Sequence, residues 1–122
     1  MTDNTAPPHV NDAYPESATT ALIIAAALEV HRTPGPGFRE IVYQRALALE
    51  LPAHGIECER EVWIPVMYKD RQIARHRVDF VAGGVMVELK ARAELEDVHF
   101  VQTLPYLKAS GYKVGLLLNF GG

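Results

Sequence analysis

The segment from Arg77 to Arg92 reads RVDFVAGGVMVELKAR, an apolar run interrupted by two adjacent glycines and by an aspartate, a glutamate and a lysine. Glycine accepts positive φ without steric cost, and the favoured two-residue hairpin turns require it. Gly83-Gly84 therefore predicts a tight turn between antiparallel strands. Such a turn fixes the register: Ala82 opposes Val85, Asp79 opposes Glu88, and Arg77 opposes Lys90. Opposed residues share a face, with Cβ atoms roughly 4.5–5.5 Å apart, and Asp79 with Glu88 falls on the closer, non-hydrogen-bonded kind of pair. Two carboxylates converge, while Val78, Phe80, Val87 and Leu89 are expected to point the other way into the core.

Like charges directly opposite are destabilising and call for compensation. One form of it is a charge-checkered solvated face, in which Asp79 meets Lys90 and Arg77 meets Glu88 diagonally. The other is a divalent cation between the carboxylates. Hard cations such as Mg²⁺ take oxygen ligands, commonly one or two carboxylates completed by water and substrate phosphate. Lys90, two residues beyond Glu88, lies on the same face, within reach of a phosphate or a bound water.

Working outward, Glu57–Tyr68 (ECEREVWIPVMY) and Arg71–Ala82 (RQIARHRVDFVA) read as strands with a turn at Lys69 to Arg71, followed by the VMVELKA strand. Upstream, a helix capped by Ser17, Thr19 or Thr20 runs to about Glu29 to Arg32, and TPGPG stops it. A second helix starts near Phe38 and ends before Gly55, with Pro52 expected to shorten or kink it. Downstream, a third helix runs from about Glu96 to Ser110, with Pro105 expected to bend it, and KVGLLLNF closes the chain as a buried strand. The order ααβββαβ predicts a single α/β domain with a mixed sheet flanked by helices.

The chain has 122 residues, enough for one compact core and too few for two. Residues 1–17 hold three prolines among small polar residues and read as a mobile tail, leaving 18–122 as the domain. That tail holds Asp3, Asp12 and Glu16 and no Lys or Arg, so the remainder is formally neutral. A neutral domain is not a strong nonspecific nucleic-acid binder, although a local basic patch remains open. The longest apolar run, Ala21 to Leu28, has eight residues against the roughly 18 that span a bilayer. With no secretory pattern at the start, a cytoplasmic protein is expected. Cys58 is the lone cysteine, which excludes an intrachain disulfide. The apolar first helix, with Leu22, Ile23, Ile24, Ala25 and Leu28, is compatible with a homodimer.

Asp79 followed by Glu88-Leu89-Lys90 after a glycine hairpin resembles the core of the PD-(D/E)XK nuclease superfamily. GPGFREIVY places Gly37, Glu40 and Tyr43 in the spacing that names its GxxExxY family. The stretch HFVQTLPYLKASGYKVGLLLNFG, with His99, Gln102, Tyr106, Leu107, Gly115 and Asn119-Phe120, resembles the rest of that family's signature. The resemblance covers roughly residues 20–121. Where the superfamily has a proline before the aspartate, this chain has Val78.

The resemblance implies a restriction-endonuclease-like fold, helices on both sides of a four-stranded mixed sheet, and metal-dependent phosphodiester hydrolysis. Asp79, Glu88 and the Leu89 carbonyl would hold Mg²⁺ or Mn²⁺, with Glu40 as an additional acidic residue. Lys90 would position or activate the attacking water, and Gln102 would supply a polar group from the third helix. Supporting candidates are Tyr43, His99, Arg77 and Tyr106.

Several of these residues also have purely structural readings. Glu40 in a first helical turn is favourable through the helix dipole, Tyr43 reads as a core aromatic with a bonded hydroxyl, and His99 reads as a hydrogen-bonded structural histidine. The expected function is a nuclease acting on DNA or RNA. The alternative is a non-catalytic nucleic-acid or protein interaction module that keeps the fold, alone or as a subunit of a larger complex.

Overall fold

Both glycines of the hairpin turn are left-handed, Gly83 at φ 55 and Gly84 at φ 82. The strands they join pair as Ala82 with Val85, Val81 with Met86 and Phe80 with Val87. The computed structural model describes residues 16–121. Its elements are α1 (Ser17–Arg32), α2 (Glu40–Ala53), β1 (Cys58–Tyr68), β2 (Arg71–Ala82), β3 (Val85–Lys90), α3 (Asp97–Ser110) and β4 (Gly115–Asn119). The reading of residues 1–17 as a tail lies outside the described residues for 1–15; Glu16 stands at the start of α1 and Ser17 belongs to it.

The four strands lie side by side in the order β1-β2-β3-β4. The first three form an antiparallel meander, and β4 returns parallel to β3 after the crossover through α3. Helices cover both faces of this mixed α/β sheet. On one face, Ile23, Ala26 and Val30 of α1 and Tyr43, Leu47 and Leu51 of α2 close a core with Phe80, Val87, Leu89 and Phe120. On the other, Ile64, Val78 and Met86 form a smaller cluster against Leu107 of α3 and Tyr112. The two clusters are what hold the central strands in place, since burying such side chains stabilises by about 1.5–3 kcal/mol each.

The helix ends depart from expectation in detail. α1 begins at Glu16 in a left-handed conformation without a side-chain cap, and the Thr20 hydroxyl donates to the Ser17 carbonyl at 3.0 Å instead. Pro52 falls in the last turn of α2, which ends one residue later. Pro105 does not interrupt α3, which runs unbroken to Gly111 at φ 78. The carbonyl that Pro105 leaves without a partner is that of Val101, a residue 62% exposed, so water can satisfy it. Among the described residues no helix is long and apolar enough to cross a membrane.

The turn is also a packing contact. A Cβ on Gly83 would lie 2.7 Å from Cγ2 of Thr19 in α1, whereas one on Gly84 would meet nothing within 4 Å. Both alanine substitutions incur left-handed strain of about 1–2 kcal/mol. Gly83→Ala adds the collision with Thr19 and should be the more destabilising by a further ~1 kcal/mol or more. Urea unfolding of the two variants checks this, and equal midpoints would contradict it.

Candidate active site

The hairpin ladder stops one step before the expected carboxylate pair. Beyond Phe80 with Val87 the pairing ends, and the Leu89 N–H, which a regular ladder would give to the Val78 carbonyl, goes to Asp79 Oδ2 at 2.8 Å. The other carboxylate oxygen, Oδ1, accepts from Gln44 Nε2 of α2 at 2.9 Å. Asp79 is thus fastened between β3 and α2. A hydrogen bond to a charged acceptor contributes about 1.5–3 kcal/mol, enough to hold the strands apart at this point.

The same level is irregular on the other side. Glu61 of β1 has φ 55, and the β1–β2 register passes from Arg60 with Phe80 to Val62 with Val78, skipping the Glu61–Asp79 level. Side-chain alternation changes phase there. Phe80 belongs to the core under α1 and α2, while Val78 belongs to the cluster under α3, which corrects the expectation that both point into one core. His76, in phase with Val78, is carried to the face of Glu88. Arg77 is carried away from it, over the Trp63 ring at 5.6 Å and 3.9 Å from Glu61 Oε2. Arg77 therefore does not oppose Lys90 or reach Glu88.

Glu88 is 8% exposed, and among the described residues its Oε1 has no hydrogen-bond partner. His76 Nε2 lies 3.4 Å from that oxygen without hydrogen-bond geometry. Burial, then the neighbouring charge of Asp79, pushes the Glu88 carboxyl up to about 7; Lys90 and a hydrogen bond from the Asp79 backbone oppose this, and Glu40 adds to the rise. Burial lowers His76 from its ordinary value, against the pull of Asp79. Its ring stacks on Tyr106 at 4.0 Å and 13°. Each member of the His76–Glu88 contact thus tends toward its neutral form, as two desolvated groups without a compensating charge should.

Glu88, Lys90, His76, His99, Gln102 and Tyr106 line one cavity of about 700 Å³ between the sheet and α3. His99 is buried, and its Nδ1 accepts the Glu96 N–H at 2.9 Å, which ties the start of α3 and leaves the proton on Nε2. The unbroken course of α3 keeps Gln102 on the cavity despite Pro105. Tyr43 does not line this cavity: its hydroxyl donates to the Gly35 carbonyl at 2.7 Å, and its ring stacks on Phe120 at 4.8 Å. It fixes the loop before α2 and so the helix that carries Glu40 and Gln44. Glu40 is exposed in the first turn of α2, one helical turn before Gln44 on the same side.

Two residues found only in the structure are His76 and Gln44. The first is hidden from a strict two-residue alternation by the phase change at Asp79. The second has a legible signal, since a residue four positions after Glu40 shares its face.

The backbone after β3 is clamped as well. The Phe120 N–H donates to the Lys90 carbonyl at 2.8 Å. Asn119 grips Arg92 through both its N–H, at 3.0 Å, and its carbonyl, at 2.9 Å. Met86 N–H and the Lys90 carbonyl are turned to β4, so the N–H and carbonyl of the intervening Leu89 face the gap beside Asp79.

The donor set fits a hard divalent cation. Among the described residues Glu88 Oε1 and Gln44 Oε1 are both buried acceptors without hydrogen-bond partners, and each oxygen of the Asp79 carboxylate retains acceptor capacity beside its single bond. Among the described residues no three His, Cys, Asp or Glu side chains form a cage that could hold a metal ion by themselves; Glu40 is not drawn in as a third ligand. Two carboxylates and a carbonyl are oxygen donors of the kind that hard divalent cations take.

The family model of the PD-(D/E)XK nuclease superfamily matches residues 17–122. The chain belongs to that superfamily. Membership brings a nuclease-type function and nucleic acid as the class of substrate, and nucleases of this superfamily generally use divalent metals. Comparison with curated proteins and with solved structures returned no match.

Because the Glu88 carboxyl rises from 4.5 to about 7 on folding, the folded protein holds a proton that the unfolded chain releases between those values. Stability from this group is full below about pH 4.5, declines as pH rises to about 7, and is flat above. Without divalent ions, Glu88→Gln should match wild type at pH 4 and exceed it at pH 8 by about 1–2 kcal/mol, solvent screening having trimmed the full shift. Urea unfolding at the two pH values checks this. A wild type that gains on the variant with rising pH would contradict it.

Proposed function

We propose that the protein is a nuclease of the GxxExxY type that hydrolyses phosphodiester bonds of DNA or RNA, with Mg²⁺ or Mn²⁺ held by Asp79, Glu88 and the Leu89 carbonyl. The observation that carries this reading is the excess of acceptors around Asp79: its carboxylate and the buried carboxylate of Glu88 interact, and among the described residues Glu88 Oε1 and Gln44 Oε1 are buried without a hydrogen-bond partner. A solvated charge-checkered face would leave Glu88 exposed, whereas it is buried. When bound, the cation would acidify water and neutralise charge growing on the scissile phosphate.

The remaining chemistry belongs to the chain. Asp79, held by Gln44 and the Leu89 N–H, presents a fixed carboxylate. Glu88 reaches the same point from β3, and its ionised form is favoured once a cation offsets Asp79. Lys90, half-buried on the same wall of the cavity, places a positive charge where the transition state accumulates negative charge. Its backbone is pinned by Phe120, so the ammonium group works from a rigid base. Gln102 and His99 offer an amide and an imidazole N–H to phosphate or base from α3. Glu40 acts on the site through its charge.

Lys90→Ala should keep its fold within about 0.5 kcal/mol of wild type, since a lysine without an ion pair contributes little to stability. It should lose roughly 10²-fold or more of Mg²⁺-dependent cleavage of labelled oligonucleotides. Calorimetric titration of Mn²⁺ should show one site in wild type and none in Asp79→Ala. Absence of cleavage of both DNA and RNA by wild type with either metal, or undiminished cleavage by Lys90→Ala, would refute the proposal.

A further inference from the structure

β1 and β2 are twice the length of their neighbour β3, which pairs with β2 only at residues 80–82. Beyond the break at Asp79, residues 62–78 continue as a two-stranded ribbon. One face of it is covered by α3 through Ile64 and Val78. The other face carries Trp63, Arg75 and Arg77 in the open.

Trp63 is 47% exposed. The guanidinium of Arg75 lies 3.9 Å from its ring centroid and that of Arg77 lies 5.6 Å away. A guanidinium stacked on an aromatic ring keeps its N–H edges free for bidentate bonds to phosphate oxygens. Among the described residues Arg75 has no carboxylate partner, and Arg77 has only Glu61 at 3.9 Å. The two arginines, alternate residues of one strand, stand about 6.7 Å apart along it, the scale on which consecutive phosphates of one polynucleotide strand are spaced. Residues 63–77 contain Lys69, Arg71, Arg75 and Arg77 against Asp70 alone, so the formal charge balance of the domain conceals a basic ribbon. Lys69 at its tip lies 5.6 Å from the Tyr68 ring centroid.

We propose that this outer face of the β1–β2 ribbon is a phosphate-backbone site for the polynucleotide flanking the scissile bond, with Trp63 orienting Arg75 and Arg77 as a two-phosphate clamp. The ligand class rests on the nuclease reading above. β2 itself links the two sites, since Arg77 precedes Asp79 by two residues. The indole serves as a platform for the guanidinium groups, and the contact is with the backbone, which DNA and RNA share.

Trp63 is the single tryptophan of the chain, so its emission reports on this face alone. Full-length Lys90→Ala protein in EDTA, titrated with a fluorescein-labelled single-stranded DNA, its RNA equivalent and the DNA duplex, gives anisotropy and tryptophan emission together. Binding of at least one of these should change Trp63 emission. Adding Arg75→Gln and Arg77→Gln, which keep side-chain bulk over the indole, should raise Kd at least tenfold and reduce the salt slope by about 1.4–1.8. Wild-type Kd and slope in that variant, no change in Trp63 emission on binding, or no binding of any of the three would overturn the proposal.

Cleavage by the Lys90-containing proteins separates this from the nuclease reading. Cleavage with KM unaltered by the two substitutions rejects the ribbon and keeps the nuclease. Binding that depends on the arginines in a protein that never cleaves keeps the ribbon and rejects the nuclease.

Discussion

The bond from the Leu89 N–H to Asp79 Oδ2 is the constraint on which the site depends. It replaces a ladder bond with a side-chain bond, and in doing so it ends the β2–β3 pairing where a regular hairpin would continue. Glu88 and Lys90 stand on the freed end of β3, Gln44 reaches Asp79 from α2, and His76 is turned toward Glu88 by the accompanying change of phase. A left-handed Glu61 at the same level of β1 costs about 1–3 kcal/mol, strain of the kind that persists where the surrounding structure over-determines a site.

The electrostatics follow from the same bond. It leaves the buried carboxylate of Glu88 within range of Asp79, and among the described residues neither Glu88 Oε1 nor Gln44 Oε1 has a hydrogen-bond partner. Among the ways to relieve such a site, protonation of Glu88 near pH 7 and binding of a cation compete directly. The clamps around it, Asn119 on Arg92 and Tyr43 on Gly35, hold its backbone so that relief by relaxation is limited. Asp79 and Glu88 are therefore carried on two strands and braced by a helix, a rigid base for the groups they present.

Much of this was legible in the sequence because it rests on short-range chemistry. The Gly83-Gly84 turn, its register near the turn, the element order and the capture of Glu88 and Lys90 on one face all follow from glycine dihedrals and strand alternation. Alternation fails where a side chain competes with the backbone for a hydrogen bond, and Asp79 does that. For this reason strict alternation puts Arg77 and Val78 on the wrong faces and gives no sign that His76 meets Glu88. The resemblance to the GxxExxY pattern picks out Tyr43 and Asn119 without distinguishing a catalytic group from a clamp; only their partners, Gly35 and Arg92, make that distinction. The bend expected at Pro105 does not interrupt α3, because the carbonyl that the proline leaves without a partner belongs to the exposed Val101.

The claim that Asp79 itself ends the ladder is tested most directly by residue-resolved amide hydrogen exchange in wild type and Asp79→Ala. The account predicts that the Leu89 amide, slow in wild type, exchanges at least tenfold faster in the variant, in line with loss of a bond of about 1.5–3 kcal/mol, while the Val87 amide is unchanged. Leu89 protection equal to that of wild type would mean that the Val78 carbonyl takes the amide in the absence of Asp79, and would contradict it.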